Sequence, residues 1–232
     1  MIELSNVTKR FGRKWVLKDV SFHIPKNQIT CLVGRNGVGK TTIMNMIMGL
    51  THPTKGSIMI DGERIHSSLY DNISYVPDQA TMLNQMTVGD AMSFMRVFYQ
   101  YWNEERALEL LYLFSLHKSD HIQALSKGAR KKVDLLLGLS VDANYLLLDE
   151  PFAGVDPNTR KQIIELCSGN FMENKGMLIS THDMLEVEHM VDRAVMIEDG
   201  MVHRVFEIEE DEETKKTSII DILKEVDAHA KR

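Results

Sequence analysis

Gly34-Arg35-Asn36-Gly37-Val38-Gly39-Lys40-Thr41 carries the strongest chemical signal in the chain. A glycine, four residues and then Gly-Lys-Thr is the spacing of a loop that cradles a polyphosphate. An apolar strand, Ile29–Val33, precedes it and a helical segment follows. Backbone N–H groups of Gly34, Asn36, Gly37, Gly39 and Thr42, with the positive end of that helix, can therefore surround the phosphates. Lys40 reaches the β and γ phosphates, and the Thr41 hydroxyl is placed for Mg²⁺, which keeps most of its waters and takes few protein ligands. A second signal is Tyr145-Leu146-Leu147-Leu148-Asp149-Glu150, an apolar strand ending in two carboxylates. Neighbours on a strand point to opposite faces. Asp149 can then hold magnesium, usually through water, while Glu150 orients and polarises the water that attacks the γ-phosphate.

Leu125-Ser126-Lys127-Gly128-Ala129 precedes a helical run and the carboxylate strand. It resembles the signature of ATP-binding cassettes, usually Leu-Ser-Gly-Gly-Gln. The resemblance covers nearly the whole chain, in order: Phe11, the phosphate loop, Tyr75-Val76-Pro77, the signature, Asp149-Glu150-Pro151, Gly154-Val155-Asp156-Pro157 and Ser180-Thr181-His182-Asp183. The sequence is identified as similar to the ATPase subunits of ABC transporters, small bacterial exporter types in particular. The resemblance implies bound ATP and Mg²⁺, with Phe11 stacking on adenine and His182 sensing the γ-phosphate. It implies that Ser126 and Gly128 contact the nucleotide of a second ATPase subunit, identical or different, because a signature lies too far from its own. Asp156 then shapes the boundary between the two. A separate integral-membrane permease would be the other partner, and the location would be cytoplasmic, peripheral on the inner face of the membrane. Three positions depart from the family: Lys127 and Ala129 replace glycine and glutamine, and Asp78 stands where a glutamine usually joins the metal and the attacking water to the membrane partner. Asp78 is thus a further metal candidate, with Gln79 the alternative for the glutamine's job.

The elements that must position these residues read as an α/β fold. Short strands are expected at Ile2–Val7, Val20–Ile24 and Gln28–Val33, and a hairpin at Ser57–Ile60 and Glu63–Ile65 around Asp61-Gly62. Helical spacing dominates from Thr87 to Leu139, with Val88, Met92, Met95, Val97 and Phe98 as one apolar run and Ala107, Leu110, Leu111, Leu113 and Phe114 as the next. Tyr145–Leu148 and Met177–Ser180 read as buried parallel strands around a helix at Asn158–Glu173, and Ala194–Ile197 with Met201–Val205 as a closing hairpin. The resemblance adds a P-loop NTPase cassette with a RecA-like parallel-sheet core, an antiparallel β subdomain and an inserted helical subdomain. The expected division is an ATPase domain at 1–206 (core and β subdomain at 1–78 and 141–206, helical subdomain at 79–140), an acidic linker at 207–217 and an amphipathic helix at 218–232.

Composition excludes several classes. The chain has 232 residues and a net charge of −6, with 44% hydrophobic and 26% charged residues, the balance of a globular protein. Nothing global draws it to nucleic acid, which calls for a basic surface. No apolar stretch approaches the roughly 18 residues a spanning helix needs, and the start shows no secretory pattern, so a cytosolic setting is expected. Cys31 and Cys167 read as packed, reduced thiols. Lys127, Arg130, Lys131 and Lys132 read as a solvated helix face, and most of Phe94, Phe98, Tyr99, Tyr101 and Trp102 as core. The resemblance lets Tyr99, Trp102, Met82 and Met86 line the groove that receives the permease. Two other readings are open to such a chain: a soluble ABC protein outside transport, and a weakly hydrolysing regulatory module. The first lacks its usual coiled coil or second cassette, and the second would have lost Lys40, Glu150 or His182.

Overall fold

A computed structural model describes residues 1–66, 71–78, 85–167, 170–187 and 189–208. Strands β1 (Ile2–Phe11), β2 (Lys14–Ile24) and β3 (Gln28–Val33) lead into helix α1 (Lys40–Ile47), followed by β4 (Lys55–Ile60), β5 (Glu63–Arg64) and β6 (Ile73–Val76). Helices α2 (Val88–Phe98), α3 (Glu104–Leu113) and α4 (Lys127–Leu139) come next. Then β7 (Tyr145–Asp149), α5 (Pro157–Cys167), β8 (Gly176–Thr181), β9 (Arg193–Glu198) and β10 (Met201–Glu207) complete the described chain. One sheet is antiparallel in the order β2-β1-β4-β5, and the other runs β10-β9-β3-β8-β7-β6. In the second, β6, β7, β8, β3 and β9 are parallel neighbours, and only β10 turns back.

Several elements differ in extent from their sequence expectation. β1 continues to Phe11 and β2 begins at Lys14, because their polar alternation extends the antiparallel pair to a turn at Gly12-Arg13. α5 runs over Pro157–Cys167, and a 3-10 turn at Asn170–Met172 stands where the helix was expected to continue to Glu173. β10 reaches Glu207, the first residue of the acidic run, whose carboxylate pairs with Arg193 at 3.0 Å. From residue 209 on, the acidic segment and the expected tail helix lie outside the described residues, as do Gln79 and Met82. The apolar pattern of α2 fails at its end: Val97 and Phe98 are exposed, as is Tyr101 beyond it, while Val88, Ala91 and Met92 are buried.

The parallel sheet is covered on both faces, so its strands split by alternation between two cores. Leu146, Leu148, Met177, Ile179, Cys31 and Val33 join α2 to α5 on one side. Tyr145, Leu147, Leu178 and Leu32 face α1 and the antiparallel sheet on the other. Continuing the alternation from Leu147 and Leu178 puts Asp149 and Ser180 on the α1 side, and the two are paired in register. Cys31 and Cys167 are buried free thiols, pushed up to about 12 chiefly by burial.

Candidate active site

The phosphate-loop residues lie at the carboxyl end of β3, beside the carboxyl ends of β8 and β7. This is where open α/β sheets hold ligands, at the point where strand order reverses. Gly39 caps α1 with φ +115°, a left-handed backbone that suits glycine, and no side chain caps the helix's first N–H groups. Those donors are left for a ligand's oxygens. Lys40 is only 5% exposed, and its ammonium folds back over the loop, donating to the Gly34 carbonyl at 2.7 Å. The same Nζ stands 3.3 Å from Oε1 of Glu150.

Glu150 follows the last residue of β7 with φ +45°, an unusual conformation for glutamate that costs on the order of 1–3 kcal/mol. Its backbone N–H donates to both the carbonyl and the hydroxyl of Ser180, which fixes the turn. Glu150 Oε2 meets His182 Nδ1 at 2.9 Å, so Lys40, Glu150 and His182 form one continuous chain of contacts. Asp149 is fully buried: Ser180 donates to its Oδ1, while Oδ2 has no hydrogen-bond partner. Tyr75 stands close by, its phenol pushed up by burial and then by the Asp149 charge.

A cavity of about 410 Å³ gathers much of this chemistry, and Asn36, Gly37, Gly39, Lys40, Thr41, Thr42, Asp78, Glu150 and His182 line it. A cavity of about 430 Å³ opens on the loop's other flank near Trp15 and Arg35 but touches none of Lys40, Thr41, Glu150 or His182. Gly34 is buried beneath the loop. Four expected residues stand apart from the main cavity. Phe11 is 51% exposed at the end of β1, with the Lys9 ammonium 4.6 Å from its ring centre. Ser126 caps α4 by accepting from the Ala129 N–H, and a Cβ on Gly128 would come within 2.6 Å of the Gly154 carbonyl. Asp156 accepts from the N–H and hydroxyl of Thr159 and pairs with Lys132 at 3.0 Å; these hydrogen bonds hold its carboxyl far below the usual range.

Lys131 corrects the solvated-face expectation. It is 4% exposed and donates to three carbonyls, those of Pro77, Asp78 and Asp149, at 2.9, 3.3 and 3.0 Å. Arg130 likewise folds back onto the Gln123 and Leu125 carbonyls, so of the four basic residues only Lys127 is exposed. Helical spacing could have flagged Lys131, since Leu135 and Leu139 follow it at intervals of four on the buried face. Val16, Lys127 and Ala153 also line the cavity. No sequence motif singles out Val16 or Ala153, and Ser180's hold on Asp149 needed the strand register.

The sequence pattern of the ABC transporter family matches residues 17–153. This chain belongs to the ABC transporter family. The ABC transporter ATP-binding protein YtrB of Bacillus subtilis is 32% identical, the match covering 90% of this chain and 73% of that protein. The lipopolysaccharide export system ATP-binding protein LptB of Haemophilus influenzae is also 32% identical, over 87% of this chain and 88% of its own. A dimeric ATP-binding cassette solved in a post-hydrolysis state with ADP and Pi superposes with a TM-score of 0.80 at 25% identity, covering 91% of this chain and all of that one. Within its family this chain is a nucleotide-binding ATPase subunit with the P-loop cassette fold. Among the described residues no helix is long and apolar enough to cross a membrane.

Proposed function

We propose that Lys40, Glu150 and His182 form the hydrolytic centre of this ABC ATPase, and that two cassettes close head to tail on two ATP molecules to drive export through separate membrane subunits. The carrying observation is the convergence of these three side chains in one cavity at the ends of β3, β7 and β8. The terminal phosphates would draw Lys40 from Glu150 and Gly34, freeing Glu150 Oε1 to polarise the attacking water. His182 holds the other carboxylate oxygen and so aims the base. Phosphoryl transfer needs little beyond such positioning and charge stabilisation.

The residues fit a magnesium ion. Asp149 offers a buried carboxylate oxygen without a partner, and Thr41 a hydroxyl on the cavity wall; all are hard oxygen donors. Among the described residues no cluster of three His, Cys, Asp or Glu side chains could hold a metal alone, which suits an ion bound mainly through phosphates and water. Thr41 and Asp149, with Asp78 nearby, would hold it, and it would neutralise phosphate charge.

Ser126 and Gly128 lie away from their own cavity, which supports their serving a second copy's nucleotide. Phe11 serves as the adenine platform and Asp156 as part of the boundary in this reading. The cassette divides as the chain order suggests, into a core with its β subdomain and the helices between β6 and β7. Export rests on the likeness of the Ser-Lys-Gly signature to bacterial exporters, in keeping with a relative whose name states export. The test is basal ATP turnover of Glu150→Gln: it is expected to fall by about 10²- to 10⁴-fold, the usual worth of a positioned general base. Unchanged turnover would remove Glu150 from the chemistry.

A further inference from the structure

We infer that Lys131 is a positioning residue that sets the spacing of Asp78 and Asp149 and thereby tunes the affinity of the nucleotide site for its divalent cation. The inference rests on the reading of Asp149 as a metal-holding residue. A lysine buried to 4% exposure loses its hydration, a heavy cost unless other groups replace it. Here the ammonium's three hydrogens meet three backbone carbonyls. Those acceptors come from two segments distant in sequence: Pro77 and Asp78, just after β6, and Asp149, at the end of β7. One side chain therefore ties the wall that carries Asp78 to the strand end that carries Asp149.

The lysine itself stands on α4, whose first residue follows the signature serine, so the strut is anchored in the body of the protein. Ser74 Oγ donates to the Gly138 carbonyl and gives α4 a second attachment beside the same strands. The positive charge also lies among the carboxylates of Asp134, Asp78, Asp149 and Glu150 and offsets their mutual repulsion. Two acidic side chains that are to face one cation must keep their separation, and groups behind metal ligands hold them oriented. Asp149 Oδ1 is fixed by Ser180. Lys131 fixes the backbone that carries Asp149 and, by the same bonds, the backbone of Asp78.

The experiment measures binding of Mn²⁺, a paramagnetic stand-in for Mg²⁺, by electron paramagnetic resonance with a non-hydrolysable ATP analogue on the full chain. Affinity for the analogue alone, in chelator, is measured in parallel. Lys131→Met keeps the chain length and removes every donor. It is expected to weaken Mn²⁺ binding by about tenfold or more, the usual effect of losing a group behind a metal ligand, and to leave metal-free nucleotide binding within about twofold. Unchanged Mn²⁺ affinity, or an equal loss of metal-free binding, would overturn the proposal. Asp149→Asn separates the two levels: if it leaves Mn²⁺ affinity unchanged, the metal reading itself fails, whereas a loss there with none in Lys131→Met refutes the strut alone. If the Met variant does not fold, Lys131→Gln, which keeps two donors on a shorter chain, carries the test. A smaller but measurable loss of Mn²⁺ affinity is expected, and no loss overturns the proposal.

Discussion

Before any phosphate arrives, the Lys40 ammonium already answers to the Gly34 carbonyl at 2.7 Å and the Glu150 carboxylate at 3.3 Å. Nucleotide must displace the second contact, so Glu150 opposes binding and serves hydrolysis. Glu150→Gln removes the charge that competes for Lys40, and ATP should bind more tightly to the variant even as turnover collapses. Titration calorimetry checks this; weaker binding would mean that Glu150 helps to hold the phosphate. His182→Ala leaves Glu150 Oε2 without its 2.9 Å partner. Its turnover should fall by about tenfold to a hundredfold, less than for the base itself, with KM for ATP changed far less, as steady-state kinetics would show. Lys40, Asp149, Glu150 and His182 were legible because motifs a few residues long carry them. Ser180 and Lys131 were not, since each acts on residues brought near only by strand register and by the packing of α4 on β6.

At the scale of elements, α4 reaches the site through Lys127 on the cavity wall and through Lys131, which bonds the Asp78 and Asp149 carbonyls. Gly138 lets it approach β6 so closely that a Cβ there would come within 2.2 Å of Val76 Cγ2. Gly138→Ala gains helix propensity worth about 1 kcal/mol but overpacks a stiff β-branched side chain, at a cost of about 1–3 kcal/mol. The clash should prevail, lowering Tm by a few degrees in a thermal melt; a raised Tm would show that β6 yields. Asp134, on the same helix, is pushed up to about 7 by burial, against the pull of Lys131. The folded protein then holds this proton more tightly than the unfolded chain, whose ordinary value is 3.8. Stability from this group is present below about pH 4 and is lost as pH rises towards 7, with a slope of at most about 1.4 kcal/mol per unit. Melts of wild type and Asp134→Asn across this range should diverge in favour of the asparagine as pH rises; a constant gap would contradict it. The order and type of most elements could be read from apolar periodicity and turn residues. Their ends could not: β1 and β2 extend through polar residues that pairing alone holds in place, and where helix was expected as far as Glu173 a 3-10 turn stands at Asn170–Met172.

For the whole molecule, the two covered faces of the parallel sheet leave the carboxyl ends of β3, β7 and β8 as the open side, and the cavity lies there. That side holds Lys40, Glu150 and His182, while Ser126 and Gly128 sit at the start of α4, outside the cavity. A nucleotide gripped by one copy alone would miss Ser126 and Gly128, so in the proposed cycle closure of two copies supplies the differential affinity that any ligand-driven shift requires. In the proposed cycle ATP is the link between copies, and hydrolysis breaks it. Light scattering on Glu150→Gln tests this most directly. With ATP and Mg²⁺ the mass should double from the 26.5 kDa of one chain, and with ADP it should return to that value. A single-chain mass under both conditions would contradict the claim.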